Sequence, residues 1–144
     1  MMIPEKTRYV LNVTDVPLLQ DPTKCMQNSA MITNETCGAT QCSATLFSMG
    51  PHTPAGNGET HPEIDELFYV ISGRGILNLN GEPLQFQAGD VCFVPMGHHH
   101  SVANESDEVL NLFYVIGDSW ENLPEIREGL GKWSEVDTEE SWLP

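Results

Sequence analysis

Positive charge is scarce in this chain. Six Lys and Arg stand against twenty-one Asp and Glu, giving a formal net charge of −15 over 144 residues. A field of that sign repels polyanions, so neither nucleic acid nor an anionic membrane surface is an expected partner. The basic residues are Lys6, Arg8, Lys24, Arg74, Arg127 and Lys132, and only Arg74 falls beside the motifs described below. Substrates that need a cationic clamp, such as phosphosugars or dicarboxylates, are therefore disfavoured. Long apolar runs are missing too. No stretch approaches the roughly 18 residues of a membrane span, and the opening M-M-I-P-E-K-T-R-Y-V lacks the apolar centre of an export signal. A soluble, cytoplasmic protein is the expectation. Cys25, Cys37, Cys42 and Cys92 contain no C-x-x-C pair, which argues against a zinc ribbon or a redox motif and for reduced, mostly buried thiols.

What remains is dominated by strand signals. Cys42–Met49, Leu67–Ser72, Gly75–Asn80, Pro83–Gln87, Val91–Val94, His100–Asn104 and Val109–Ile116 are short runs rich in Val, Ile, Leu and Phe, separated by turn residues. Asn80-Gly81 is a two-residue hairpin signal, and Gly89-Asp90 and Pro95-Met96-Gly97 punctuate the next strand. The spacing predicts an all-β antiparallel barrel or sandwich. The length suits a single domain over 1–144, with a core over about 41–116, N-terminal strands in 1–40 (Tyr9-Val10-Leu11 and Ala30-Met31-Ile32), and a helix and acidic tail in 117–144. Ser119 is the expected cap of a helix running to about Leu130, and the tail from Ser134 either wraps or frays. Leu67–Ile71 and Leu110–Ile116 are apolar at both parities, which predicts strands covered on both faces. The barrel core is one cover; a second copy of the chain is the expected other, making a homodimer.

Histidine is sparse, yet His61, His98, His99 and His100 crowd into two short segments, leaving only His52 apart. In a strand, residues two apart share a face, so Glu59 and His61 can point inward together while Glu66 returns on the next stretch and His100 arrives from another hairpin. Two imidazoles with a carboxylate make a facial ligand set suited to Fe(II), and Zn and Mn also accept such donors. His99 alternates with His98 and His100 and is expected to face away. Glu63 and Asp65 read as solvated loop acids.

At these residues the sequence resembles the cupin superfamily. The second motif of that family, G-x5-P-x-G-x2-H-x3-N, is met by Gly89, Pro95, Gly97, His100 and Asn104. The first, G-x5-H-x-H-x3-4-E-x6-G, is met by His61, Glu66 and Gly73, with Glu59 standing at the first histidine position. The resemblance implies a double-stranded β-helix, the cupin jelly-roll barrel, with a short C-terminal helix and one divalent transition metal held by His61, Glu66 and His100. Three arrangements are open for the remaining position: Glu59 itself ligates, His52 or His98 moves in, or the metal site is lost and the barrel only binds a small molecule.

One barrel hosts many reactions, so the resemblance leaves the chemistry open. The low positive charge favours a neutral, aromatic or carbonyl-bearing small molecule, held by walls drawn from Phe47, Met49, Phe68, Phe86, Phe93 and Tyr114. The first expectation is Lewis-acid catalysis in which Glu59 or His98 moves a proton, giving cyclase, isomerase or lyase chemistry. The stretch Trp120–Arg127 is similar to small cupins grouped with aromatic polyketide cyclases. The alternatives are an Fe(II)-dependent dioxygenase and a binding module without catalysis.

Overall fold

The computed structural model describes residues 9–144. Lys6, Arg8 and the opening stretch scanned for an export signal lie wholly or mostly outside that range. Ten strands are present: β1 (Leu18–Gln20), β2 (Met26–Ile32), β3 (Ser43–Met49), β4 (Glu66–Ser72), β5 (Arg74–Leu79), β6 (Glu82–Gln87), β7 (Val91–Val94), β8 (His100–Ala103), β9 (Leu110–Ile116) and β10 (Ser134–Val136). The two α-helices are α1 (Asn34–Cys37) and α2 (Pro124–Leu130). The strands form a seven-stranded sheet in the order β10-β1-β2-β3-β9-β4-β7 and a three-stranded sheet in the order β6-β5-β8, with antiparallel pairing throughout. All seven strand runs expected between residues 42 and 116 form, with ends shifted by a residue or so.

Alternation along the strands decides what the barrel encloses. The inward parity of β3, β4 and β9, together with Leu77, Phe86 and Val94, builds one core of Met49, Phe68, Val70, Leu77, Phe86, Val94, Leu110 and Leu112. Phe68 is fully buried and meets Phe86 of the opposite sheet edge-on at 5.3 Å. This pair joins the two layers through the favoured aromatic geometry. The β5–β6 hairpin turns on Asn80 and Gly81, both at positive φ (48° and 85°), the backbone of a type I′ turn whose twist matches the strands it joins.

The flanks differ from the sequence reading. Tyr9 and Val10 form a bend, exposed to solvent, and the first strand among the described residues is Leu18–Gln20. Thr33 nucleates α1 through a capping box with Thr36, and Gly38 ends it at φ 77°. Ser119 opens only a 3-10 turn, Trp120–Asn122, and caps nothing with its side chain, because α2 starts afresh at Pro124. The acidic tail wraps. β10 pairs with β1, Gln27 exchanges hydrogen bonds with the main chain of Glu140 and Trp142, and Asn111 donates to Trp142 O at 3.1 Å. Part of the outer face of β9 is thus covered by the chain's own tail.

The neighbouring outer face of β4 and β7 is open. Leu67 and Tyr69 lie opposite Phe93 and Val91, and these four are 38, 44, 54 and 65% exposed. Phe93 therefore does not line an interior pocket, a correction that follows from its alternation with the inward-packing Cys92 and Val94. None of the cysteines is buried: Cys42 is exposed and the other three are half-buried. Burial and the nearby Asp90 push the Cys92 thiol up to about 11.

Candidate metal centre

The segment from Thr53 to Glu59 runs antiparallel to β8, with Thr53 opposite Asn104 and Glu59 opposite His100. Register alone then sorts the candidate ligands. Glu59 and His100 face one another, His61 follows two residues on, and His52 falls beyond Asn104, at the other end of β8. Gly58 makes this approach possible. It sits at φ 77°, and a Cβ there would stand 2.5 Å from His100 O. Two further links lock the motifs together: Gly97 N–H donates to His61 O at 2.8 Å, and Met96 N–H to Asp65 Oδ1 at 2.9 Å. Asp65, expected to be a solvated acid, is a strut between the two loops.

His61, Glu66 and His100 are all buried, whereas the Glu59 side chain is 48% exposed at the mouth. Glu59 Oε2 lies 3.1 Å from His61 Nε2, and Glu66 Oε1 is in ion-pair contact with His100 Nε2. The imidazole rings are 5.6 Å apart between centroids. Donor atoms of Glu59, His61 and His100 lie within 4.8 Å of one another, a group that can hold a metal ion, and Glu66 borders it through His100.

The charges respond to one another. The His61 imidazolium beside Glu59 holds that carboxyl below its ordinary value, against the effect of burial. Glu59 in turn raises His61 above the usual imidazole value, and Glu66 and Glu125 add to the rise while burial opposes it. Burial pulls His100 down, but the Glu66 carboxylate outweighs it and the net direction is up. Both His61 ring nitrogens and Glu66 Oε1 are buried without an aligned hydrogen-bond partner. Buried polar atoms are rarely left so, and a bound cation is the group that satisfies nitrogens and carboxylate oxygens together. The residues present fit a metal.

The other expected participants separate. His52, at φ 53°, turns outward and pairs with Asp107 at 2.6 Å, so it is not brought to the centre. His98 is half-buried outside the ligand cluster, its Nδ1 3.3 Å from Met96 O. His99 faces away, held between Thr60 Oγ1 and Asn57 O. Of the expected wall residues, Tyr114 packs on Phe68 at 4.7 Å and edge-on to Phe47 at 6.2 Å, with Trp133 beyond Phe47 at 6.4 Å. Burial raises the Tyr114 phenol well above its ordinary value, and the fields of Glu66 and Glu59 raise it further. Met49 and Phe68 are core packing, and Phe86 borders a different cavity of about 580 Å³ lined also by Arg74, Gly75, Ile76 and Glu105. That cavity lies at the start of β5, whereas His100 pairs with Leu79 at its end. Glu125 was not read from the sequence as a site residue. Only the fold of α2 across the barrel mouth brings its Oε1 to 3.4 Å from His61 Nδ1.

This fold and its site define a small β-barrel with a group of side chains that could hold a metal ion, and comparison with known proteins gives the family. The cupin domain model matches residues 45–116. An oxalate-binding protein of Thermotoga maritima is 37% identical over 51 residues, covering 35% of this chain and 42% of that protein. An uncharacterized protein of Aquifex aeolicus is 34% identical over 67 residues, or 46% and 54% of the two chains. The chain thus spans about half, or less, of the length of these relatives. Among solved structures, a predicted oxalate decarboxylase of Thermotoga maritima superposes with a TM-score of 0.65 at 20% identity, covering 76% of this chain and 98% of that one. A sugar phosphate isomerase of the cupin superfamily from Silicibacter pomeroyi gives 0.63 at 17%, covering 76% and 75%. The chain belongs to the cupin superfamily.

Proposed function

We propose that this chain is a mononuclear metal-dependent enzyme of the isomerase, cyclase or lyase kind, acting on a neutral, carbonyl-bearing or aromatic small molecule. The observation that carries the reading is the approach of two carboxylates to two buried imidazoles, with both His61 ring nitrogens and Glu66 Oε1 buried and lacking an aligned hydrogen bond. His61, His100 and Glu66 would hold a single Zn, Fe(II) or Mn ion, with Glu59 as the outermost donor. Such an ion supplies Lewis acidity toward a carbonyl or enol oxygen.

The chain's own residues supply the rest. Glu59 is the half-exposed member of the set, so an entering molecule meets it first, and its carboxylate is placed to take up a proton. His98, half-buried two residues before His100, would be the second proton carrier. Tyr114 stays protonated and, packed on the core side chain Phe68 and edge-on to Phe47, would offer its hydroxyl to the site. Among the described residues no Lys or Arg is paired with the four acidic and imidazole groups, which favours substrates that bring little negative charge.

A second reading is a binding module without turnover, supported by the Thermotoga maritima relative that is named an oxalate-binding protein. Elemental analysis of untagged protein, followed by oxygen uptake and product analysis with Zn, Mn and Fe(II), tests the set. About one equivalent of metal and turnover without oxygen consumption is expected. Oxygen uptake only with Fe(II) would replace this chemistry by that of a dioxygenase, and metal below about a tenth of an equivalent would favour the binding module. His61→Ala and His100→Ala are expected to lose the metal; full occupancy in both would refute the ligand assignment.

A further inference from the structure

Helix α2 has no fully buried residue, and its apolar side chains Ile126 and Leu130 are only half-buried. Pro124 at its first position and Glu125 in its first turn are ordinary helix-start residues. The position of Glu125 is less ordinary. Its Oε1 lies 3.4 Å from Nδ1 of His61, while the other ring nitrogen, Nε2, lies 3.1 Å from Glu59 Oε2 on the side of the candidate centre. Nδ1 is buried and has no aligned hydrogen-bond partner, so Glu125 is the acceptor within reach. Glu125 is not among the side chains whose donor atoms cluster within 4.8 Å; it reaches that cluster through His61.

We infer that Glu125 is the positioning residue of the metal centre, accepting the Nδ1 proton of His61 and thereby tying helix α2 to the occupied site. The inference rests on the metal reading above. A neutral imidazole carries one N–H, and a ligand must offer a lone pair. A carboxylate at Nδ1 selects the tautomer that leaves Nε2 free, fixes the orientation of the ring and raises its basicity. The coupling runs both ways. Whatever fixes the ring of His61 also fixes Glu125 and the helix that carries it, so a bound metal stiffens the mouth of the barrel without touching α2.

The test uses the full chain and two probes, Zn(II) and Mn(II), titrated in competition with a chelator, together with amide exchange across 124–130. Glu125 is 51% exposed, so its substitution leaves the core intact. Glu125→Ala is expected to weaken both ions by about 10–100-fold, the usual cost of removing such a partner. Glu125→Gln, whose amide oxygen still accepts from Nδ1–H, is expected to recover part of that loss. Glu128→Ala, which removes the same charge from the same helix, is expected to stay within about twofold of the parent, as a change away from the ligand shell should. Adding Zn(II) slows exchange in α2 of the parent and leaves Glu125→Ala unchanged. Affinity in Glu125→Ala within twofold of the parent, or losses in Glu128→Ala as large as in Glu125→Ala, overturns the inference and leaves the metal reading standing. A parent chain that binds neither ion overturns both.

Discussion

Glu59 and His100 are bonded twice through the main chain: Glu59 N–H donates to His100 O, and His100 N–H to Glu59 O, each at 2.9 Å. The side chain at position 59 is therefore held on the site face by the backbone and not by its own chemistry. Position 59 is where the family motif has a histidine.

That makes the ligand role of Glu59 testable by exchange. Glu59→Ala is expected to weaken Mn(II) and Zn(II) by at least the ~10-fold that even indirect partners of a metal contribute. Glu59→His is expected to keep metal binding and to shift preference from Mn(II) toward Zn(II), since an imidazole replaces a harder oxygen donor. Competitive binding of the two ions reads the shift. An unchanged ratio in Glu59→His would show that position 59 is outside the coordination shell.

His61 and His100 both lie above the ordinary imidazole value in the folded protein. A raised folded value means that the stability these groups contribute is fully present below the unfolded value of about 6.5 and is lost as pH rises through the folded values. Metal-free protein should accordingly become easier to unfold as pH climbs through that window. Metal binding has the opposite sign, because the ion must displace the protons that the carboxylates hold on these rings. The rise in melting temperature on adding Zn(II) should be small near about pH 6 and larger near about pH 8. Equal shifts at both pH values would mean that neither histidine gives up a proton to the metal.

Asn104 is the last residue of the second motif, four positions after His100. The structure gives it a structural task. Its fully buried amide donates to Met49 O, Gly50 O and Glu108 O, and its Oδ1 accepts from Ser106 N–H and Oγ. It knots three turns at the end of β8 farthest from His100. Asn104→Ala strands several buried groups and is expected to cost about 3 kcal/mol in denaturant unfolding. In protein that remains folded, metal affinity should be unchanged. A loss below 1 kcal/mol would mean that water replaces the amide.

The parts of this molecule that were legible in the sequence are those set by local rules. Alternation and turn chemistry locate β3 to β9, and the i, i+2 spacing puts Glu59 and His61 on one face. What was hidden depends on contacts between segments far apart in the chain. His52 and His98 are equivalent candidates as residue types; only the pairing of Thr53 with Asn104 sends the first to the wrong end of β8. Glu125 carries no ligand-like pattern, and its approach to His61 comes from the return of α2 across the mouth. Phe93 was misassigned because its strand is short and apolar at both parities, which leaves the inward face undecided until Cys92 and Val94 are seen to take it. The tail was ambiguous for the same reason, since β10 is a strand only because β1 is there to pair with it.

The exposed face of β4 and β7 leads to a prediction about assembly. Leu67, Tyr69, Val91 and Phe93 form directly opposed pairs on one surface, next to Val115 and Phe113 of β9, and Met96 is exposed in the turn that follows β7. We propose that a second copy of the chain covers this surface. Two chains of net charge −15 repel over most approaches, and a patch without ionised side chains is where they can meet. A two-fold axis through the patch would set the free edge of β7 and its apolar side chains against their own counterparts, and would satisfy an edge that otherwise invites uncontrolled pairing. Light scattering at tens of micromolar should give about 32 kDa, twice the 16.0 kDa of one chain. Val91→Asp and Phe93→Asp each place a charge in the patch and should give monomers. Because both side chains point away from the core, the melting curve of the monomer should stay cooperative and its Zn(II) affinity should stay near that of the parent. A parent chain that is monomeric at that concentration would end the proposal, and the apolar face would then need a different explanation.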